Sequence, residues 1–317
     1  MNELQLTFSS RSCIRIAFFA SICFFVAFPG ATCQSQDAKK FTVPFSRDDI
    51  ASTRKQLKKQ GWALNVESDV GIKFVLIPPG EFEMGEKESG RKEEFPHIVE
   101  ISNPYYMAVT EVTQKQWQSV MGSNPSTYSM ESDDEKIRSY VNKLDVNQLP
   151  VDCVHWTKAT KFVKKLNKEH AIKGFKFQLP TEAQWEFACR SGSEKKYSFG
   201  DTIEGERHAR FEDTDYHEGP AEVGSFKPNQ FGLFDMHGNV FEWCSDYYSK
   251  EYFKQSPSID PKGPAKPDKQ KFLGYYSKVL RGGSWISGSK QCRSAFRTGA
   301  SWAEGEFGVR VILVKEK

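Results

Sequence analysis

Short apolar segments recur along the chain and alternate with polar, glycine-containing stretches. Several have the β-branched and aromatic content of strands: KFVLIP from Lys73, HIVEIS from His97, PYYMAV from Pro104, KVLRGG from Lys278 and FGVRVILV from Phe307. Between them, the proline- and lysine-rich stretch from Ser256 to Lys269 predicts an exposed loop. The pattern as a whole predicts short strands joined by long irregular segments.

Helices are predicted at three places. Two starts carry a capping box, in which a threonine side chain and a glutamine three residues later satisfy each other's backbone donors. These helices begin at Thr113 (TQKQWQSVM) and Thr181 (TEAQWEFA). From Trp156 to Asn167, apolar residues recur every three or four positions with lysines opposite, which predicts a third, amphipathic helix.

The N-terminus differs from the rest of the chain. Arg11 and Arg15 precede a nearly continuous apolar run from Ile16 to Phe28. This is typical of a secretory signal peptide, because the run is shorter than the roughly 20 residues that span a membrane. We therefore predict a cleaved signal over residues 1–33 and a secreted or periplasmic protein whose mature chain has no membrane span. A lipid anchor on Cys33 is the less favoured alternative.

Residues 34–65 form a polar, lysine-rich segment before the main domain, which is predicted to span residues 66–317. Its basic residues are spaced like the solvated face of a short helix, which indicates a surface helix or a linker: Arg54, Lys55, Lys58 and Lys59. Over the whole chain, 44 lysines and arginines nearly balance 41 acidic residues. No strong basic field is present, so a nucleic-acid partner is not expected.

The cysteines that remain after the predicted signal are Cys153, Cys189, Cys244 and Cys292. Their spacing is too wide for a zinc ribbon, which needs close CxxC pairs. In an exported chain they predict two disulfides, and the spacing alone leaves all three pairings open. The histidines form no HxxxH or HExxH pattern, and neither a phosphate-binding loop nor a GxSxG motif is present.

Together the motifs resemble the sulfatase-modifying-factor family, which includes the formylglycine-generating enzymes. From about Phe74 to Val314 the resemblance is carried by FVLIPPGEFEMG, EVTQKQW, PVDCVHW, FQLPTEAQWEFACRSG, VGSFKPNQFGLFDMHGNVFEWCSDYY, RGGSW and FGVRV, in this order. It implies an α+β fold, an irregular mixed domain related to the C-type lectin fold with little regular secondary structure.

Active members of this family oxidise a sulfatase cysteine to formylglycine with dioxygen and a copper ion held by two thiolates. Copper(I) prefers soft sulfur ligands, so this chemistry needs both cysteines. By the family's spacing the first position is Ser287 and the second is Cys292. These are the candidate catalytic residues. Because a serine hydroxyl is a hard, protonated ligand, the resemblance predicts that copper does not bind and that oxidase activity is lost.

The resemblance also implies structural roles. Relatives tie the FACRSG and CRSAFR segments together, which pairs Cys189 with Cys292 and leaves Cys153 with Cys244. Ser284, Trp285 and Phe241 are predicted to line an aromatic cleft. Four arginines either bind anions there or form structural ion pairs, and the structural role is favoured for the first and last: Arg281, Arg293, Arg297 and Arg310.

A calcium site of the family maps onto DMHGNVFE. Its ligands would be the side chains of Asp235 and Glu242 and the carbonyls of Gly238 and Val240, since calcium binds hard oxygens. The alternative is that Asp235 caps a turn and Glu242 pairs with an arginine.

Two classes of function follow. In the first, an exported domain modifies a protein or peptide through a changed oxidase site. In the second, a lectin-like scaffold binds a peptide, protein or glycan without catalysis.

Overall fold

The computed structural model describes residues 41–42, 45–203, 209–211, 219–267, 271–272 and 275–316. The predicted signal peptide of residues 1–33 lies outside them. Residues Ala38–Lys317 form one compact unit. Its helices are α1 (Arg47–Lys59), α2 (Gln114–Met121), α3 (Glu135–Val141), α4 (Trp156–Glu169) and α5 (Glu182–Arg190). None of these described helices combines the length and the apolar content needed to cross a membrane.

The strands form several small sheets. They are β1 (Phe41–Thr42), β2 (Asn65–Glu67), β3 (Lys73–Ile77), β4 (Gly80–Met84), β5 (His97–Ile101), β6 (Tyr105–Ala108), β7 (Phe175–Gln178), β8 (Phe241–Tyr247), β9 (Lys271–Phe272), β10 (Tyr275–Tyr276), β11 (Lys278–Arg281), β12 (Thr298–Ala300), β13 (Phe307–Gly308) and β14 (Ile312–Lys315). The sheet orders are β2-β3-β6-β14-β7, β12-β11-β8-β13 and β1-β4-β5, with β9 and β10 as a separate pair. The fold is therefore a mixed arrangement of helices and small sheets.

The five-stranded sheet is buried on both faces, which explains the apolar runs that encode it. In β3, Phe74 and Leu76 belong to the core that includes α2 and α4. Val75 and Ile77 belong to the core on the opposite face, which includes α5. Because successive side chains alternate between the faces of a strand, a strand covered on both sides needs a continuous apolar sequence.

Both predicted capping boxes are confirmed. At the start of α2, Thr113 accepts from the backbone N–H of Gln116, and its own N–H donates to the Gln116 side chain. Thr181 and Gln184 make the same pair of bonds at the start of α5. The predicted amphipathic helix is α4, which ends two residues beyond the predicted boundary. These helix starts are therefore set by local sequence.

Helix α1 lies in the polar segment, as predicted, but one of its basic residues is not solvated. Arg54 donates to the carbonyls of Leu76 and Phe231 at 2.8 and 2.9 Å and lies over the Phe231 ring. Ile50 and Leu57 of the same helix are buried in the domain core. The helix thus packs against the domain, and burial lowers the pKa of Arg54.

Two elements differ from the sequence prediction. The run FGVRVILV forms two strands in different sheets, β13 and β14, because the carbonyls of Val309 and Val311 between them bond to other segments. Strand β8 lies inside the four-stranded sheet, yet its apolar pattern is interrupted by Glu242 and Asp246. Both acids are buried, so their partners lie elsewhere in the chain.

Candidate functional site

The glycine pair of the RGGSW motif allows a tight turn after β11. Gly282 and Gly283 have φ values of +96° and +79°. A Cβ on Gly283 would lie 2.6 Å from Cys292 Sγ, and one on Gly282 would lie 3.3 Å from the Trp185 ring. Glycine therefore lets this loop pack against the 3₁₀ turn Ser289–Cys292. The two halves of the predicted copper site are brought close together.

Ser287, at the first copper-ligand position, is held in a turn with Ser284. Its Oγ accepts from Ser284 N at 3.0 Å and lies 3.0 Å from Ser284 Oγ, and its own N–H donates to Ser284 O at 3.1 Å. Both residues are buried. The hydroxyl is thus part of the turn, and it presents a hard oxygen where copper(I) would need sulfur.

Cys292 contacts His237 through its backbone. His237 Nδ1 donates to the Cys292 carbonyl at 2.8 Å, which leaves Nε2 to accept from the backbone N–H of Ser198 at 3.1 Å. The Sγ of Cys189 lies 3.7 Å from His237 Nε2 and 3.7 Å from Ser294 Oγ. Burial raises the pKa of Cys189 to about 12. This side chain therefore stays a thiol at neutral pH and is a poor metal ligand.

The structure forms neither of the predicted disulfides, Cys189 with Cys292 and Cys153 with Cys244. Cys153, Cys189 and Cys244 are free thiols. Cys153 is partly exposed at a φ of +58°, whereas Cys244 is fully buried in β8. Desolvation raises the pKa of both thiols. Protonated thiols are poor nucleophiles for disulfide exchange, which is a physical reason why these positions favour the reduced form.

The residues predicted to line an aromatic cleft are packed in the interior. Trp285 is 4% exposed and meets the Tyr128 ring edge-on at a centroid distance of 5.1 Å. Phe241 is 5% exposed and packs instead against Phe296 and Phe307. Ser284 is fully buried beside Trp285. Among the described residues, these side chains act as core contacts and do not form the walls of one open cleft.

The predicted calcium residues Asp235 and Glu242 lie in a buried cluster with Glu111 and Arg310. Both carboxylate oxygens of Glu242 accept from Arg310, at 2.7 to 3.0 Å, and one also accepts from the Trp185 indole at 2.6 Å. The pairing of Glu242 with an arginine, considered as the alternative, is therefore confirmed. Such a fork-to-fork pair uses the hydrogen-bonding positions of the carboxylate.

Asp235 and Glu111 each keep one buried oxygen that accepts no hydrogen bond, Oδ1 and Oε2 respectively. Their other oxygens accept from Gly224 N at 2.6 Å and from Asn239 Nδ2 at 3.0 Å. Desolvation raises the pKa of Asp235 to about 6. Desolvation, and then the negative charge of Asp235, raise the pKa of Glu111 well above its usual range. The two acids therefore destabilise each other's charged forms.

The two predicted carbonyl ligands lie in the same loop, which packs tightly against its neighbours. Gly238 N donates to Gly282 O at 2.7 Å, and a Cβ on Gly238 would lie 2.1 Å from Arg210 O. The Val240 carbonyl lies 3.7 Å from the Cβ position of Gly282. The loop is thus fixed by backbone contacts on two sides.

The arginines considered for the cleft are all engaged in buried ion pairs: Arg281 with Glu186 and Glu182, Arg297 with Glu182, Arg293 with Glu94 and Glu86, and Arg310 with Glu242. The structural role favoured for Arg281 and Arg310 is confirmed. The same role accounts for the other two, because their guanidinium groups are also saturated by carboxylates.

Sequence reasoning missed Glu111, Tyr128 and His237. Glu111 lies between Val109 and Val112, and a charge inside an apolar segment just before a capped helix was a usable signal. The other two offered no comparable signal, because a single tyrosine or histidine in a loop is compatible with many roles.

Asp152 of the PVDCVHW motif carries a titration that affects stability. Its carboxylate is fully buried and accepts from the N–H groups of Thr127 and Tyr128, at 2.7 and 3.3 Å. Desolvation raises its pKa to about 7. The unfolded chain loses this proton near pH 4. Between these values the folded state binds more protons, so stability decreases as the pH rises through this window.

We expect Asp152→Asn to reduce this pH dependence. Between pH 5 and pH 8 the variant should lose less stability than the unchanged protein, by roughly 1–3 kcal/mol. Urea unfolding at the two pH values measures the difference, and the exposed Asp201→Asn is the control. Equal losses in the Asp152 variant and the unchanged protein would show that Asp152 titrates in its ordinary range.

Solved structures with this fold support the assignment of the domain. Treponema denticola variable protein 1 has a TM-score of 0.64 and 27% identity over 79% of this chain and 99% of that chain. PvdO from Pseudomonas aeruginosa has a TM-score of 0.63 over 78% of this chain and 97% of that chain, and at 22% identity it shows the fold alone. Both are similar to this chain over nearly their whole length.

Sequence comparison agrees with the fold. The formylglycine-generating enzyme of Streptomyces coelicolor is 36% identical over 155 residues, 45% of this chain and 44% of that protein. The serine/threonine-protein kinase pkn1 of Chlamydia pneumoniae is 34% identical over 238 residues, 71% of this chain and 35% of that protein. The chain thus spans less than half the length of these relatives.

The fold and the RGGSW site define a protein of the formylglycine-generating-enzyme type. The model of the sulfatase-modifying factor enzyme 1-like domain matches residues 65–315. The chain belongs to this family.

Proposed function

We propose that this chain is an exported member of the family that binds a peptide or protein segment and does not oxidise sulfatase cysteines. The turn between Ser284 and Ser287 carries the proposal, because the hydroxyl of Ser287 takes the first copper-ligand position and is bonded within the protein. Of the two thiolates that the copper chemistry needs, only Cys292 could be supplied at these positions.

The metal in this proposal is calcium and not copper. The unpaired buried oxygen of Asp235 supports calcium, which prefers carboxylate and carbonyl oxygens. Calcium would brace the DMHGNV loop against the RGGSW loop and would take no part in redox chemistry.

A groove between β4 and the end of α5 is the candidate binding surface. Its volume is about 670 Å³, within the range typical of ligand sites. Glu81, Glu83, Lys195 and Lys196 line it together with Ile98, whose side chain is 51% exposed. These groups complement an extended peptide that carries both charges and an apolar residue. The lectin-like character implied by the family is a property of this proposed scaffold.

Export is part of the same proposal. Its support is the basic start followed by the apolar run Ile16 to Phe28, which fits a signal removed near residue 33. The mass of the mature protein tests it, and an intact N-terminus in the exported protein would contradict cleavage.

A copper(I) titration tests the central point of the proposal. In competition with a copper(I) chelator, the unchanged protein should not bind one equivalent tightly. Ser287→Cys restores the second sulfur and should bind at least about tenfold more tightly, since soft ligands select copper(I). Ser287→Ala is the matched control and should behave like the unchanged protein. Tight binding of one equivalent by the unchanged protein would favour an oxidase with a changed site.

A further inference from the structure

The buried cluster around Arg310 is not electrically balanced. Three carboxyl groups interact with this guanidinium, those of Glu111, Asp235 and Glu242. All four residues are at most 4% exposed. When the three acids are ionised, one arginine leaves two negative charges without a partner. Uncompensated charge is costly in a buried site, so the cluster needs further positive charge.

The geometry locates the missing charge. Glu242 is neutralised by Arg310, and its two oxygens are occupied by the guanidinium and the Trp185 indole. The oxygens without hydrogen bonds belong to Asp235 and Glu111. Arg310 Nη2 is 3.8 Å from Glu111 Oε2, too far for a hydrogen bond. The unmet positive charge is therefore required between Asp235 and Glu111.

We propose that Glu111 and Asp235 together bind a divalent cation, calcium, and that Glu111 takes the ligand position which the family pattern assigns to Glu242. This rests on the calcium binding put forward under the proposed function and changes its ligand set. A single divalent ion neutralises the two unbalanced charges. An all-oxygen site in which no cysteine or histidine takes part favours a hard cation.

Only two side chains need converge on the ion. Among the described residues, no three side chains of the types His, Cys, Asp and Glu form a metal-binding group. The remaining ligands would be backbone carbonyls and water, which calcium accepts in irregular arrangements. The ion would then join the segment before α2 to the loop before β8, about 120 residues apart in the chain.

The test uses the full exported chain after removal of metal with EDTA. Calcium is added in an isothermal titration, and the melting temperature is followed in parallel. For the unchanged protein we expect one calcium per chain and, at about a hundredfold excess over Kd, a rise in melting temperature of about 5 °C or more. Terbium luminescence sensitised by nearby tryptophan, such as Trp185, provides a second readout.

Glu111→Gln and Asp235→Asn remove one charge each and keep the shape of the side chain. Both should weaken calcium binding at least about tenfold, because the number of charged ligands sets the affinity. Both should also melt no lower than the metal-free unchanged protein, because each relieves repulsion between buried acids. Asp201→Asn, which removes an exposed acid, is the matched control and should leave calcium binding unchanged.

The outcomes are distinguishable. Binding that is lost in Asp235→Asn and retained in Glu111→Gln would overturn the role of Glu111 and restore Glu242 as the acidic ligand. An unchanged protein that binds no calcium would overturn the site altogether. Neither result bears on copper(I) binding, so the proposal that this chain is not an oxidase is tested separately.

Discussion

Arg310→Met is expected to unfold most of the protein in metal-free solution at neutral pH. The substitution removes the guanidinium that neutralises Glu242 and donates to the carbonyls of Ala108 and Phe234. Breaking a buried ion pair by removing one partner costs about 3–5 kcal/mol. Glu111 and Asp235 lose the same positive neighbour, so the cost should reach the upper end of this range. Domains are stable by only about 5–15 kcal/mol, and urea unfolding measures the loss.

The control for this prediction is an ion pair on the surface. Lys254 pairs with Glu251 at 2.6 Å, with both side chains about half exposed. Lys254→Met should cost at most about 1 kcal/mol, because water screens the exposed pair. Similar losses in the Lys254 and Arg310 variants would show that the buried cluster contributes no more than a surface pair.

Gly238→Ala is expected to be the second most damaging single substitution considered. Gly238 has a φ of +109°, and an added Cβ would lie 2.1 Å from Arg210 O. A backbone atom cannot move aside as the end of a flexible side chain can, so the loop itself would have to shift. We expect a loss of about 4 kcal/mol or more in the free energy of unfolding, together with weaker calcium binding.

Gly174 separates the two causes of this loss. It also has a positive φ, +80°, but a Cβ there would have nothing within 4 Å. Gly174→Ala should therefore show the conformational cost alone, about 1 kcal/mol. If Gly238→Ala were no more damaging than Gly174→Ala, the close contact with Arg210 would not be a real constraint.

The features predicted correctly from the sequence are local ones. The capping boxes at Thr113 and Thr181 join groups three residues apart, so each helix start is written in a single short segment. The strand from Lys73 is recognisable because both of its faces are buried and both sets of side chains are apolar. Family motifs then placed Ser287 and Cys292 close together, which the structure also does.

The features that were missed depend on partners far away in the chain. Strand β8 does not look like a buried strand because it contains Glu242, and its partner Arg310 is 68 positions later. Glu111 and Asp235 are likewise separated by more than a hundred residues, and nothing in either segment specifies the other. The solvated pattern of α1 misled in the opposite direction, because the guanidinium of Arg54 can be buried when carbonyls receive it.

The most direct test of the account is turnover of a sulfatase-type peptide that contains the target cysteine. The full exported chain is loaded with copper(I), supplied with oxygen and followed by mass spectrometry, with an active formylglycine-generating enzyme run in parallel. The account predicts that the peptide remains unmodified while the parallel enzyme converts it. Formation of formylglycine by this chain, and its loss in Cys292→Ser, would show that one thiolate suffices and would contradict the central claim.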